Sequence, residues 1–188
     1  MKYSLFILLI ILVAVSSCEG RKTVNKALTE SVEDFKKNNS FKTVTFLPEN
    51  YRKIDIDTTF SNGFKIKVNL FTDMASVISK TLKNNSQTHT NNYRRIKSEI
   101  DIKFNNNTIF KETVDNTFIE NILKNESEYL IMANLDSIWI DEYLTTFENK
   151  VILNLDYRIP ETDNYKSFVL KVNQNGKFEL IKRGETIL

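Results

Sequence analysis

Cysteine and histidine occur once each in the 188 residues, proline twice and glycine four times. Each shortage removes a class of chemistry. A single cysteine excludes an intramolecular disulfide, so stability has to come from an ordinary core. One cysteine and one histidine make no zinc-type ligand set. Four scattered glycines build no phosphate-cradling loop, and no serine sits in a Gly-x-Ser-x-Gly elbow. No metal, no cofactor and no catalytic residue is assigned on these grounds. An excess of charge of either sign is also missing: Lys and Arg number 26 against 24 Asp and Glu. That balance gives no basic face for nucleic acid and no acidic tail.

Long apolar runs are absent except at the head. Lys2 supplies a positive n-region, Leu5 to Val15 is an unbroken run of eleven, and Val15-Ser16-Ser17 puts small residues before Cys18. This is the order of a secretory signal peptide. Tyr3 to Ser17 gives fifteen residues, short of the roughly 20 that a membrane span needs. A cysteine directly after the small residues resembles a bacterial lipobox. The resemblance implies that residues 1–17 are removed and that Cys18 is lipidated on its thiol and acylated on its new amine. Several acyl chains on one residue hold a protein at a bilayer where one does not. Glu19 rather than Asp follows the cysteine, which by resemblance to Gram-negative sorting favours the outer membrane over the inner. Ordinary secretion and an uncleaved anchor are the competing readings. Residues 18–188 are long enough to bury one sizeable core.

Asparagine does the turn work that glycine and proline leave undone. The clusters Asn84-Asn85, Asn91-Asn92 and Asn105-Asn106-Asn107 mark turns, because asparagine tolerates left-handed backbone and bonds its own chain. Val24, Leu28, Val32 and Phe35 fall on one helical face over 23–37. After Phe41 the period becomes two: Ile54 and Ile56, then Phe64, Ile66, Val68 and Leu70, then Ile96, Ile100, Ile102 and Phe104. These are strands with one wet face. Residues 74–82 fit a helical face or, preferably, a strand. Asn84 to Asn92 reads as a polar loop holding His89. A short strand over 108–113 precedes a helix capped by Asp115 or Asn116. Tyr129 to Ile140 reads as one long strand, bulged near Asn134-Leu135-Asp136. Strands over 151–159, 165–172 and 177–182 follow, the last two joined through Asn175-Gly176.

The fold class expected is α+β: predominantly antiparallel strands in one large sheet or two packed sheets, with a C-terminal meander, an N-terminal helix and one mid-chain helix. The domain layout is a signal peptide over 1–17, a lipid-anchored tether and helix over 18–40, and a single β-rich domain over 41–188. The long strand, the Pro160 turn and the closing Asn-Gly hairpin resemble uncharacterised bacterial lipoproteins classed as a domain of unknown function, over most of 45–183. The resemblance implies no catalytic residue and no activity.

Few side chains invite chemistry. His89 stands in a polar stretch without a nucleophile motif nearby. Carboxylate pairs occur at Asp55/Asp57, Asp141/Glu142 and Glu161/Asp163. They could split acid and base roles, or simply face water. Phe71, Trp139, Tyr143, Tyr157 and Tyr165 are the aromatic candidates for facing a ligand. Arg94-Arg95 with Lys97 reads as a solvated strand edge or a headgroup contact. Asp57-Thr58-Thr59 and Asp136-Ser137-Ile138 resemble a short O-glycosylation signal; Thr58 is the acceptor kept.

Three functions stay open. The favoured one is an outer-envelope lipoprotein, held at the membrane by its lipid, whose domain binds a partner protein or a small ligand without catalysis. The second is a periplasmic hydrolase using carboxylates, the third a structural accessory subunit of an envelope complex. The anchor can be tested directly. Cys18→Ala should release the protein from the membrane fraction, and intact-mass analysis of the wild type should show a triacylated Cys18; a bare N-terminus elsewhere contradicts the assignment.

Overall fold

The computed structural model describes residues 23–38, 41–84 and 87–184. Cys18, the signal segment 1–17 and the tether lie outside them. The chain divides into two compact units, residues 1–43 with 82–88 and residues 44–81 with 89–188. In the first, helix α1 (Val24–Asn38) bears the expected face of Val24, Leu28 and Val32, and Thr29 returns its hydroxyl to the Asn25 carbonyl at 2.8 Å. Among the described residues no helix is long and apolar enough to cross a membrane.

The fold is α+β, with mostly antiparallel strands in two sheets. Strands β1 (Phe41–Leu47), β2 (Lys53–Thr59), β3 (Phe64–Asn84), β4 (Gln87–Phe104) and β5 (Asn107–Val114) form the first sheet, in the order β1-β4-β3-β2 with β5 also on β4. Helices α2 (Asn116–Ile122) and α3 (Ser127–Met132) follow, with a 3-10 turn at Lys124–Glu126 between them. Strand β6 (Asn134–Ile140), helix α4 (Glu142–Phe147) and strands β7 (Val151–Arg158), β8 (Tyr165–Val172) and β9 (Phe178–Lys182) complete the chain. The second sheet is the plain meander β6-β7-β8-β9.

The period-two rows are the core. Phe64, Ile66 and Val68 of β3 and Ile100 and Ile102 of β4 are buried with Leu153, Leu155 and Tyr157 of β7 and Phe168 and Leu170 of β8. Strand β7 is buried on both faces from Val151 to Leu155, as a central strand should be. Asparagine supplies the turns: Asn105 and Asn106 both hold positive φ, 48° and 67°, between β4 and β5, the two-residue geometry that suits a hairpin's twist. At the β8–β9 turn only glycine fits. Gly176 has φ 76°, and a Cβ there would lie 2.2 Å from the Ile109 carbonyl oxygen of β5.

Residues 74–82 continue β3 as strand. The Thr72-Asp73 turn signal is not realised: both residues lie within that strand, where Asp73 Oδ1 accepts the Ala75 N–H at 2.9 Å. Three expectations need correcting. Residues 87–92 belong to β4 rather than to a loop. They pair through polar side chains, Ser79 Oγ to Asn92 Oδ1 at 2.6 Å and Thr81 with Thr90 at 3.1 Å, so apolar alternation gives no signal there. Tyr129 to Met132 is helix α3, not the start of a long strand. A short apolar run does not distinguish the two; the decision is made by Arg95 and Asn116, which cap the helix from other elements. The bulge does fall where expected, between Leu135 and Ser137. Helix α4 adds a third segment of mid-chain helix. Its signal was Asp141, whose carboxylate caps the Leu144 N–H at 2.9 Å.

One side chain locks the second sheet to the first. Asn134, at the start of β6, accepts the Ile96 N–H at 2.9 Å and donates to the Arg94 carbonyl at 2.8 Å. It acts as a one-residue strand on β4. Asn134→Ala strands two backbone groups and should cost roughly 2–3 kcal/mol, read as a lower urea midpoint. Asn134→Asp, which keeps the acceptor, should fall between; an unchanged midpoint for both would contradict the role.

Candidate functional site

An open cleft of about 500 Å³ lies where the end of β1, the β2–β3 pair, the middle of β4 and the start of β6 meet. Its walls are mostly apolar, with Leu47, Pro48, Ile54, Leu70, Phe71 and Leu135 among them. Polar groups enter at a few points, which is the pattern of a small-molecule site. Thr72, buried, fixes the backbone of Arg52: its hydroxyl accepts the Arg52 N–H at 3.2 Å and its own N–H reaches the Arg52 carbonyl at 3.0 Å.

Three guanidinium groups line this cleft against one carboxylate. Arg158 pairs with that carboxylate, Asp136, at 3.4 Å. Arg94 donates Nη1 to the Met74 carbonyl at 2.8 Å and stacks 4.6 Å over the Phe46 ring. Its Nε is out of water and has no partner, an unspent donor in a low-dielectric wall. The Arg52 guanidinium is held by no carboxylate among the described residues. At the rim, Glu161 accepts from the Tyr93 hydroxyl and from Asn91 Nδ2, the latter at 2.7 Å. Those bonds hold its carboxyl below the usual range.

The sequence candidates are dispersed. Of the five aromatics only Phe71 lines the cleft. Tyr157 is fully buried; Tyr143 and Tyr165 are exposed, Tyr143 stacked on Phe147 at 5.9 Å. Trp139 donates Nε1 to Asp156 at 3.3 Å. Asp55 and Asp57 sit on β2 tied to lysines, Asp55 to Lys53 at 2.9 Å and Asp57 to Lys67 at 3.1 Å. Asp141 is a helix cap. Thr58 is half-buried on the same strand, and Ser137 donates to Asp156 at 2.9 Å. His89 is half-buried in β4. Among the described residues no group of three His, Cys, Asp or Glu could hold a metal ion.

In the basic run 94–97, Arg95 and Lys97 are tied to other elements rather than left as a plain solvated edge. Arg95 donates to the Leu130, Ile131 and Ala133 carbonyls at 3.3, 2.6 and 3.0 Å, joined by Asn116 Nδ2 on Leu130 and Ala133 at 2.6 and 2.8 Å. A cation at the end of a helix also meets the negative pole of its dipole. Lys97 bridges Asp73 at 3.0 Å and Asp115 at 3.8 Å. Asp73 is held to about 2, first by the Ala75 N–H and then by Ser76 and Lys97. Alternation along a strand conveys the face of these residues but not their partners, which come from other segments of the chain.

The most buried charge lies outside the cleft. Glu126 is 3% exposed and takes Lys166 at 2.6 Å and Lys182 at 2.8 Å, one oxygen each. Lys166 also rides 4.4 Å over the Tyr129 ring, whose hydroxyl donates to the Tyr157 carbonyl at 2.7 Å. Burial raises the pKa of Tyr129 to about 12. For Glu126, burial pushes the pKa up, and the two ammonium bonds outweigh it, so the carboxyl titrates below its ordinary value. The group therefore stabilises the fold fully above the unfolded value and loses that contribution as pH falls through the folded one. Stability should drop as pH is lowered below the ordinary glutamate value of 4.5. Glu126→Gln should cost roughly 2–4 kcal/mol at neutral pH and flatten part of the acid slope, Asp73 supplying the remainder. Urea midpoints from pH 7 to 3 measure both; an unaltered slope in the variant would remove Glu126 from the account.

No protein-family model matches the chain, and no curated protein matches it in sequence.

Proposed function

We propose that this protein is a lipoprotein of the bacterial cell envelope, held at the outer membrane through Cys18, whose β-rich unit is a non-enzymatic binding module with the cleft as its site. The address rests on the order of Lys2, the apolar run and Val15-Ser16-Ser17-Cys18. The function rests on one observation: an apolar cleft of about 500 Å³ with a few fixed polar groups, within the roughly 300–1,000 Å³ of small-ligand sites. The carboxylates that a hydrolase would use are spread over β2, the α4 cap and the Pro160 turn. Asp136, the one carboxylate in the cleft wall, is spent on Arg158.

A plug provides the test. Ile54 is 60% exposed in the cleft wall, so Ile54→Trp adds bulk there at a strand position that accepts aromatics. Wild-type protein isolated from its own membranes should release a discrete small molecule on denaturation, seen by mass spectrometry. The plugged variant, equally abundant and equally stable, should not. Equal release from both would place the ligand elsewhere, and none from either would count against the binding-module reading.

A further inference from the structure

The composition of the cleft narrows the class of ligand. Its apolar wall has no use for a sugar or another densely polar molecule, because each hydroxyl would leave water without a partner. Its guanidinium groups have no use for a plain hydrocarbon. We infer that the cleft takes a small amphipathic acid: a single carboxylate or phosphate head beside Arg52 and Arg94, and an aliphatic body along Ile54, Leu70 and Phe71. This rests on the binding-module reading and adds the chemistry of the ligand.

Charge makes the argument. Three guanidiniums against one carboxylate leave the cleft cationic, although the whole chain differs from neutrality by only two charges. Arg158 is satisfied by Asp136. The Arg52 side chain is held by nothing among the described residues, while its backbone is pinned by Thr72. Arg94 is anchored at Nη1 and over Phe46, and still has a buried donor without a partner. A guanidinium offers five donors in a fixed fork that fits a carboxylate or phosphate. An anionic head thus supplies the acceptor that the Arg52 guanidinium lacks, with Arg94 held beside it as a second positive charge, and a charge-assisted bond is stronger than a neutral one. The walls beyond the arginines offer apolar contact, so a one-headed amphiphile fits and a dianion with a polar body does not.

The test uses the processed full-length protein in phosphatidylcholine nanodiscs, with empty discs as the baseline. The probes are 8-fluorooctanoate and 8-fluorooctan-1-ol, followed by 19F NMR. The acid should bind saturably and at least tenfold more tightly than the alcohol. Arg52→Gln changes an exposed side chain and should weaken the acid about tenfold, the loss expected for a hydrogen bond to a charged group, and leave the alcohol unchanged. Ile54→Trp should abolish both. Acid and alcohol binding alike, or an Arg52→Gln variant indistinguishable from wild type, would overturn the acid assignment and leave the binding module standing. No saturable binding of either by folded wild type would also overturn it, with the module then judged by the released-molecule comparison. Discs doped with phosphatidylglycerol separate two sources of the same chemistry: displacement of the fluoro-acid assigns the site to anionic lipid, and no displacement to a free acid.

Discussion

The arrangement of the two sheets depends on how the middle of β4 satisfies its backbone. That strand neighbours β1 and β3 and pairs with β5 from Ser98 onward, and the Asn134 side chain takes up the Ile96 N–H and the Arg94 carbonyl. An amide side chain offers one donor and one acceptor, as a strand residue does, so it can close a ladder where no strand reaches. On the same stretch Arg95 and Asn116 collect the terminal carbonyls of α3. Polar groups that would be costly to bury unpaired are thereby paired to each other across the junction. The hydrophobic core then fills in behind it, from Ile100 and Ile102 to Leu153 and Leu155.

The cleft is a by-product of that junction. Asn134 holds the start of β6 against β4 without a full strand between them, and the space left over becomes a recess walled by Leu70, Phe71 and Leu135. Arg94 is held in this wall by the bond from Asn134 to its carbonyl, by its own bond to the Met74 carbonyl and by the Phe46 ring. The same residue that fixes the architecture also places a cation at the mouth of an apolar hollow.

How legible was this in the sequence? The strands were readable wherever an apolar row alternates, as in Phe64 to Leu70 or Ile100 to Phe104. The turn at Asn105-Asn106 was readable from φ preference alone, though the same reading of Asn91-Asn92 fails because both lie within β4; the Asp115 cap was readable from its place before Phe118. Strand 87–92 was not, because its partners are hydroxyls and amides. Helix α3 was not, since its caps come from Arg95 and Asn116. The cleft was the least legible: Phe71 and Arg94 drew notice separately, but Arg52 and Ile54 lie at the start of β2, Phe71 on β3 and Arg94 on β4, and no spacing in the sequence brings those three segments to one place. Periodicity encodes which face a residue takes; partnership across the fold is encoded only in three dimensions.

The β8–β9 turn has a consequence for the chemical ageing of the chain. Asn-Gly is the dipeptide most prone to deamidation, since an unhindered glycine nitrogen can attack the asparagine side chain and close a succinimide. Here the Gly176 N–H is engaged by the Asn173 carbonyl at 3.0 Å, and Asn173 Oδ1 grips the N–H groups of Asn175 and Lys177 at 2.9 and 3.1 Å. The attacking nitrogen is held in the turn and must break that bond to react. Opening to isoaspartate would lengthen the backbone by one methylene beside Ile109, where there is no room even for a Cβ. The residue pair that closes the β8–β9 turn is thus also its point of chemical wear, and the bonds from Asn173 oppose the reaction.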